Sequence, residues 1–257
     1  MDLIADHISH RFGILDVLDD VSFTVRAGEV VAIVGPSGCG KSTLLQVLGG
    51  LLQPSAGAAE LRGAPPPGSL NPLTFVFQDF ALLPWCTVEA NVEFPLLHTS
   101  LAASARRAVV DDALRRTGLA DFRATYPKQL SGGMRQRVGI ARALAVRPAI
   151  LLMDEPLSAL DSQTRELLME DFVRLLADGS MGAVYVTHNL EEAVRIADRI
   201  VVLSRRPGRI REVVAIAMTR AERGDIAARE RLLALQSELW SLIREQAIDA
   251  EREVQHA

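Results

Sequence analysis

The sequence predicts an α/β fold whose buried strands end together along one edge of a sheet. Three stretches carry that prediction. Gly35-Pro36-Ser37-Gly38-Cys39-Gly40-Lys41-Ser42-Thr43 fits the pattern G-x-x-x-x-G-K-[S/T], with a strand-like apolar run over 30–34 before it and a helix-like run over 44–48 after it. Residues 149–153 are continuously apolar, as suits a central parallel strand, and lead into Asp154-Glu155-Pro156. Residues 183–187 form another buried run, which ends in His188.

Taken in order, residues 3–9 read as a strand and 17–25 as a half-buried one, because Val21, Phe23 and Val25 alternate. Phe12 falls between these two strands. Spacing alone favours the core for it, although an aromatic upstream of the loop is also placed to stack on a base. Ala27-Gly28 then turns the chain into the strand before the phosphate loop. The loop glycines let backbone N–H groups wrap a phosphate, and the helix N-terminus adds positive potential. Lys41 is a point charge for β- and γ-phosphates, and the Ser42 hydroxyl is a ligand for Mg²⁺. Gly49-Gly50 ends the helix.

Residues 54–57 read as a turn, 58–62 as a short strand, and the Pro-rich stretch through Pro72 as a loop. A strand over 73–77 ends in Gln78-Asp79, at the strand end where α/β sheets bind ligands. Over 87–147 the pattern turns helical. Thr87 is the expected cap of a helix over 88–97, and Ser104 that of another over 105–117, stopped by Gly118. Leu130-Ser131-Gly132-Gly133-Met134-Arg135-Gln136-Arg137 opens a third helix reaching about residue 145. Ser131 is its expected N-cap, and Gly132 and Gly133 bare the first-turn N–H groups, which makes a second anion site in one chain.

After the run over 149–153, Asp154 is placed to hold Mg²⁺, and Glu155 to orient and deprotonate an attacking water. Ser158-Ala159-Leu160-Asp161 leads into a helix over 162–177, broken by Gly179 and Gly182. His188 falls at the same sheet end as Gln78 and Asp154 and reads as a γ-phosphate contact. Residues 189–197 are helical, and 200–203 with 209–214 form a hairpin around Pro207-Gly208. Residues 227–246 carry an apolar stripe of Leu232, Leu235, Leu239, Leu242 and Ile243, a helix that packs on the domain or meets a partner. The last ten residues are polar and read as frayed.

Composition narrows the function classes. At 257 residues the chain is one large α/β domain, or a domain with a subdomain. A net charge of −4 gives no global basic field for nucleic acid. No stretch reaches the ~18 apolar residues of a membrane span, and the acidic start is not a secretory signal. The expectation is a soluble chain that reaches a membrane only through a partner. Cys39 and Cys86 make no disulfide framework and fit a reducing cytoplasm.

From Phe12 to about Ile210 the ordered motifs resemble the ATP-binding subunit of ABC transporters. GPSGCGKST is similar to the Walker A loop, Gln78 to the Q-loop glutamine, LSGGMRQR to the ABC signature, ILLMDEP to Walker B, SALD to the D-loop and His188 to the switch histidine. The resemblance implies a P-loop NTPase with a RecA-like core, an antiparallel β subdomain and a helical ABC-specific subdomain over about 87–147. The ATP-binding domain would span 1–226, and an amphipathic helix and tail 227–257. It also implies that Phe12 stacks on adenine beside the ATP-binding residues 35–43, and that Gln78 joins Ser42 and Asp154 on Mg²⁺. Catalysis would rest on Glu155, His188 and Gln78. Met134 stands where the common signature LSGGQ has Gln.

Two subunits of this family pair head to tail, so that Ser131, Gly132 and Gly133 of one would cap the γ-phosphate held on Lys41 of the other. ATP closes such a dimer and hydrolysis opens it. Phe77 to Trp85 followed by Thr87-Val88-Glu89-Ala90-Asn91-Val92, and Arg205-Arg206-Pro207-Gly208-Arg209-Ile210, are similar to importers of the nitrate, sulfonate and taurine type. That group also takes in pyrimidine thiamine precursors. Leu83, Pro84 and Trp85 would meet the permease's coupling helix, on the cytoplasmic face of the cell's inner membrane, with a solute-binding protein beyond. A soluble ABC ATPase for nucleic-acid work or cluster assembly usually shows two linked cassettes, a long coiled-coil insert or a basic face, and this chain shows one cassette and none of these. A P-loop kinase gives no reason for LSGGMRQR.

Overall fold

The computed structural model describes residues 1–177 and 179–254. Two sheets organise it. β1 (Asp2–Phe12), β2 (Leu15–Val25) and β4 (Ala56–Arg62) form an antiparallel sheet in the order β2-β1-β4. β3 (Val30–Val34), β5 (Leu73–Val76), β6 (Ile150–Asp154), β7 (Gly182–Val186), β8 (Arg199–Leu203) and β9 (Ile210–Ala215) form a second sheet in the order β5-β6-β7-β3-β8-β9. Its first five strands run parallel, and β9 closes the edge as the antiparallel half of the hairpin with β8.

The parallel strands are apolar throughout because both faces are covered. Side chains alternate across the sheet, so one strand feeds two cores. Val30, Ala32, Leu151, Met153, Ala183 and Tyr185 join a core with α4 (Gly132–Ala145), α5 (Ser162–Leu176), α6 (Leu190–Ile196) and α7 (Arg229–Val254). Val31, Ile33, Ile150, Leu152, Val184 and Val186 join the opposite core, shared with α1 (Lys41–Leu48) and with β1 and β2. A third apolar cluster lies among α2 (Val88–Glu93), α3 (Ala103–Arg116) and α4, built on Val92, Leu96, Val110, Leu114, Val138 and Ala141.

Several expectations shift. β1 extends to Phe12, which pairs with Leu15 across a Gly13-Ile14 turn. Phe12 is 51% exposed, which removes it from the core. The helix expected over 88–97 ends at Glu93, and Pro95 continues it only as a 3₁₀ turn over Phe94–Leu96. Ser104 does not cap α3: that position is Ala102, in extended backbone and without a side-chain cap. Ser104 instead falls inside the first turn. β5 stops at Val76, so Gln78 lies past the strand end. The backbone of α7 stays helical to Val254, which corrects the frayed reading over 248–254. Residues 255–257 lie outside the described residues. Among the described residues no helix is long and apolar enough to cross a membrane.

Candidate active site

The β3–α1 connection sets the centre of the site. Gly40 takes the N-cap position of α1 in left-handed backbone and offers no side chain to the helix. The first-turn N–H groups therefore keep their donors for a ligand, at the positive end of the helix dipole. Lys41 is 7% exposed. Its ammonium donates to the carbonyls of Gly35 and Pro36, each at 3.0 Å. Among the described residues no carboxylate bonds it, so a buried cation waits on two dipoles. An open groove of about 390 Å³ beside it is lined by Phe12, Leu15, Ser37, Gly38, Glu155 and Arg206, with Lys41, Ser42 and Thr43 at its floor.

Thr43 and Ser42 follow Lys41 in the first turn. The Ser42 hydroxyl donates to Asp154 Oδ1 at 3.0 Å. Burial raises the Asp154 carboxyl above its usual range, opposed by the Ser42 hydrogen bond, and the neighbouring Glu155 charge adds to the rise. A hydroxyl and a carboxylate at this spacing fit a hard divalent cation such as Mg²⁺. No group of three or more His, Cys, Asp or Glu suited to a metal occurs among the described residues. Phosphate oxygens and water would supply the other ligands, as Mg²⁺ prefers.

Glu155 adopts φ +42, an uncommon backbone for a residue with a side chain. The conformation is held from both sides: its N–H bonds Val186 O at 2.9 Å, and its carbonyl accepts from Ser158 Oγ at 3.0 Å. Its carboxylate reaches His188 Nδ1 at 3.0 Å. Next to His188, Thr187 Oγ1 and the Tyr185 hydroxyl donate to the buried Glu192 at 2.8 and 2.9 Å. That buried network fixes the strand end from which His188 projects. Gln78 donates from Nε2 to Ser158 Oγ at 3.2 Å. Its side chain is thus tied to the Asp154-Glu155 turn through Ser158, and not by hydrogen bonds to Ser42 or Asp154.

The stretch expected to form a second anion site is a capped helix start. Ser131 Oγ accepts from Met134 N at 3.2 Å, the N-cap bond expected of it. Gly133 has a packing reason as well: a Cβ there would sit 2.5 Å from Thr164 Cγ2 on α5. Met134 packs against the third apolar cluster, so its side chain has an apolar neighbourhood where an amide would be stranded. Ser131, Gly132 and Gly133 do not line the Lys41 groove of their own chain.

Three residues were missed by sequence reasoning. Arg142 on α4 donates to the carbonyls of Ala81 at 2.6 Å and Phe80 at 2.8 Å, two consecutive left-handed residues just past Gln78. Asn91 is fully buried. It accepts from Leu83 N at 2.8 Å and donates to the carbonyls of Leu83, Cys86 and Thr87, which shapes the Leu83-Pro84-Trp85 turn. His10 is buried with neither ring nitrogen hydrogen-bonded among the described residues, and its ring meets Phe12 edge-on at 4.6 Å. Only Asn91 had a signal, an amide within an apolar helix face. Asn91→Leu should lower unfolding stability by about 2 kcal/mol, because it strands the Leu83 N–H and the Cys86 carbonyl, while the Leu83 and Thr87 carbonyls keep backbone donors. A denaturant midpoint unchanged from wild type would contradict that.

The ABC transporter family description matches residues 18–158. An ATP-binding protein of Brucella abortus is 36% identical over 251 residues, 98% of this chain and 96% of the relative. The chain belongs to the ABC transporter ATP-binding family. It is an ATPase that serves transport, and ATP is its nucleotide. The taurine import ATP-binding protein of Yersinia pestis is 45% identical to this ABC ATPase over 199 residues, covering 77% of this chain and 78% of the relative. A solved dimeric ATP-binding cassette in a post-hydrolysis state, bound to ADP and Pi, superposes with a TM-score of 0.72 at 32% identity, covering 84% of this chain and 99% of that one. A cassette from Clostridium perfringens that is part of an ABC transporter complex gives 0.74 at 25% identity, over 92% and 98% of the two chains. The fold of this ABC ATPase is thus the P-loop cassette expected from its motifs.

Proposed function

We propose that this ABC ATPase powers import of a small organic or inorganic anion, of the sulfonate, taurine or nitrate type, through a membrane permease. Its 45% identity to a taurine import ATP-binding protein carries the reading. Phe12 stacks on adenine, and residues 35–43 wrap the phosphates. Ser42, Asp154 and Gln78 serve the Mg²⁺ site, where the ion supplies charge to the phosphates when bound. Glu155 takes a proton from the water that attacks the γ-phosphorus, the β–γ bridging oxygen leaves with ADP, and His188 keeps the carboxylate aimed.

The separation of Ser131 from its own Lys41 groove supports a head-to-tail pair of copies, each completing the other's site. The helical unit over about 87–147 brings the signature, and the domain over 1–226 is followed by the helix and tail over 227–257. The chain sits on the cytoplasmic face of the inner membrane, and a solute-binding protein delivers cargo on the far side.

Contact with the permease falls beside the Gln78 loop. A largely apolar groove of about 490 Å³ runs between Leu51, Phe77, Leu83, Phe94 and Pro95. Trp85 stands nearby in sequence at 73% exposure, a large apolar surface suited to a partner. Pro84 is exposed and Leu83 half-buried, so Leu83 lines the groove while Trp85 extends the surface. Leu51, Phe77, Phe94 and Pro95 add to the contact that the sequence placed on Leu83, Pro84 and Trp85.

The test is reconstitution with the permease and binding protein in vesicles. Labelled taurine, sulfonate or nitrate should enter with ATP, and Trp85→Ala should lower uptake at least about tenfold while ATP affinity is kept. Normal uptake by that variant would refute the coupling surface. ATP-driven uptake restricted to solutes that are neither sulfonates nor nitrate would refute the cargo class.

A further inference from the structure

We infer that Arg206 grips the α- and β-phosphates, the part of the nucleotide that ATP and ADP share. The inference rests on the nucleotide reading of the Lys41 groove. Arg206 lies at the tip of the β8–β9 hairpin, more than 160 residues along the chain from the phosphate loop, yet it lines that groove together with Phe12, Ser37 and Gly38. Among the described residues it makes no hydrogen bond and no ion pair. An exposed guanidinium beside a polyphosphate groove, with all its donors open, has an evident partner: Arg is the side chain that matches phosphate oxygens in a fork.

The turn that carries it is not a loose loop. Gly208 N donates to Val17 O at 2.8 Å, and Asp19 N donates to Gly208 O at 3.0 Å, which stitches the tip to β2. Arg209 Nε binds Asp19 Oδ2 at 2.9 Å on the same strand. Ser204 Oγ bonds Pro207 O and receives Arg209 N, which closes the turn on itself. Gly208 is pressed onto the phosphate loop so closely that a Cβ would stand 2.3 Å from Cys39 O. The hairpin thus rests on the flank of the loop, and Arg206 is its one cation aimed into the groove.

Position along the groove sets which phosphates it meets. Phe12 and Leu15 mark the base end. Glu155, with His188 bonded to it, marks the γ-phosphate end. The hairpin packs on Val17, Leu18 and Cys39, beside the middle of the loop rather than beside His188 or Gln78. A contact at the α- and β-phosphates contributes equally to ATP and ADP, so it raises affinity without favouring the bond-breaking step.

Calorimetric titration of the full chain with Mg-ATP and with Mg-ADP tests this, using wild type, Arg206→Ala and Arg206→Lys. Arg206→Ala should weaken both nucleotides by about tenfold, with the KM for ATP rising in step and kcat at saturation unchanged. Arg206→Lys should recover part of the loss, and the melting temperature without nucleotide should match wild type. Unchanged affinities in Arg206→Ala would overturn the inference. Loss confined to ATP would also overturn it, since that places the contact on the γ-phosphate. A wild-type chain that binds neither nucleotide would instead remove the underlying reading of the groove.

Discussion

Glu155→Gln should cut ATP hydrolysis by at least about a hundredfold while leaving ATP bound. General-base assistance is worth roughly 10²–10⁴ in rate, and the amide cannot take the proton. The substitution preserves size and backbone demands, which matters at a residue held at φ +42. The amide oxygen also still accepts from His188 Nδ1, so the 3.0 Å pairing survives. Removing a negative charge next to the γ-phosphate should favour bound ATP, and with it the paired form of the protein. Phosphate release measured beside size-exclusion chromatography in ATP separates the outcomes. Turnover equal to wild type would end the base assignment; loss of ATP binding would mean that Glu155 holds the nucleotide instead.

Lys41→Met should abolish nucleotide-induced stabilisation while leaving the free protein at least as stable as wild type. The ammonium is buried and, among the described residues, bonded to the carbonyls of Gly35 and Pro36 alone. An apolar side chain of similar length relieves that desolvation in the free protein, and it removes the charge that a phosphate needs. A ligand present at a hundred times its Kd stabilises a protein by about 2.7 kcal/mol. Wild type should show a melting shift of that order in saturating ATP, and the variant little or none. An equal shift in both would show that Lys41 does not hold the phosphates. A large drop in the variant's own melting temperature would show that its two carbonyl bonds matter more than the burial of its charge.

Sequence reasoning found the parallel strands and the ends of most helices because those depend on local chemistry. The apolar run over 149–153 and the Ser131 cap are written in neighbouring residues, and both formed as expected. Phe12 was misplaced by the same logic. Its register is set by pairing with Leu15 across the Gly13-Ile14 turn, and that pairing turns it outward. Ser104 had the chemistry of a cap, but α3 begins one residue before it at Ala103, with Ala102 as the cap. Arg142 and Arg206 reach across long stretches of chain and leave no periodic trace, whereas His10 meets Phe12 within its own strand. The candidate site shows the same split. The sequence placed Lys41, Ser42, Asp154, Glu155 and His188 at one strand-end site, and local motifs were enough for that. The bond from Gln78 to Ser158 became visible only once β5 and β6 were side by side.

The bonds from Arg142 to the carbonyls of Phe80 and Ala81 tie α4 to the Gln78 loop. From Ser131 to Arg142 the helix spans eleven steps, roughly 16 Å at its usual rise. One continuous helix therefore joins the Gln78 loop, held at Arg142, to Ser131, which does not line the Lys41 groove of its own chain.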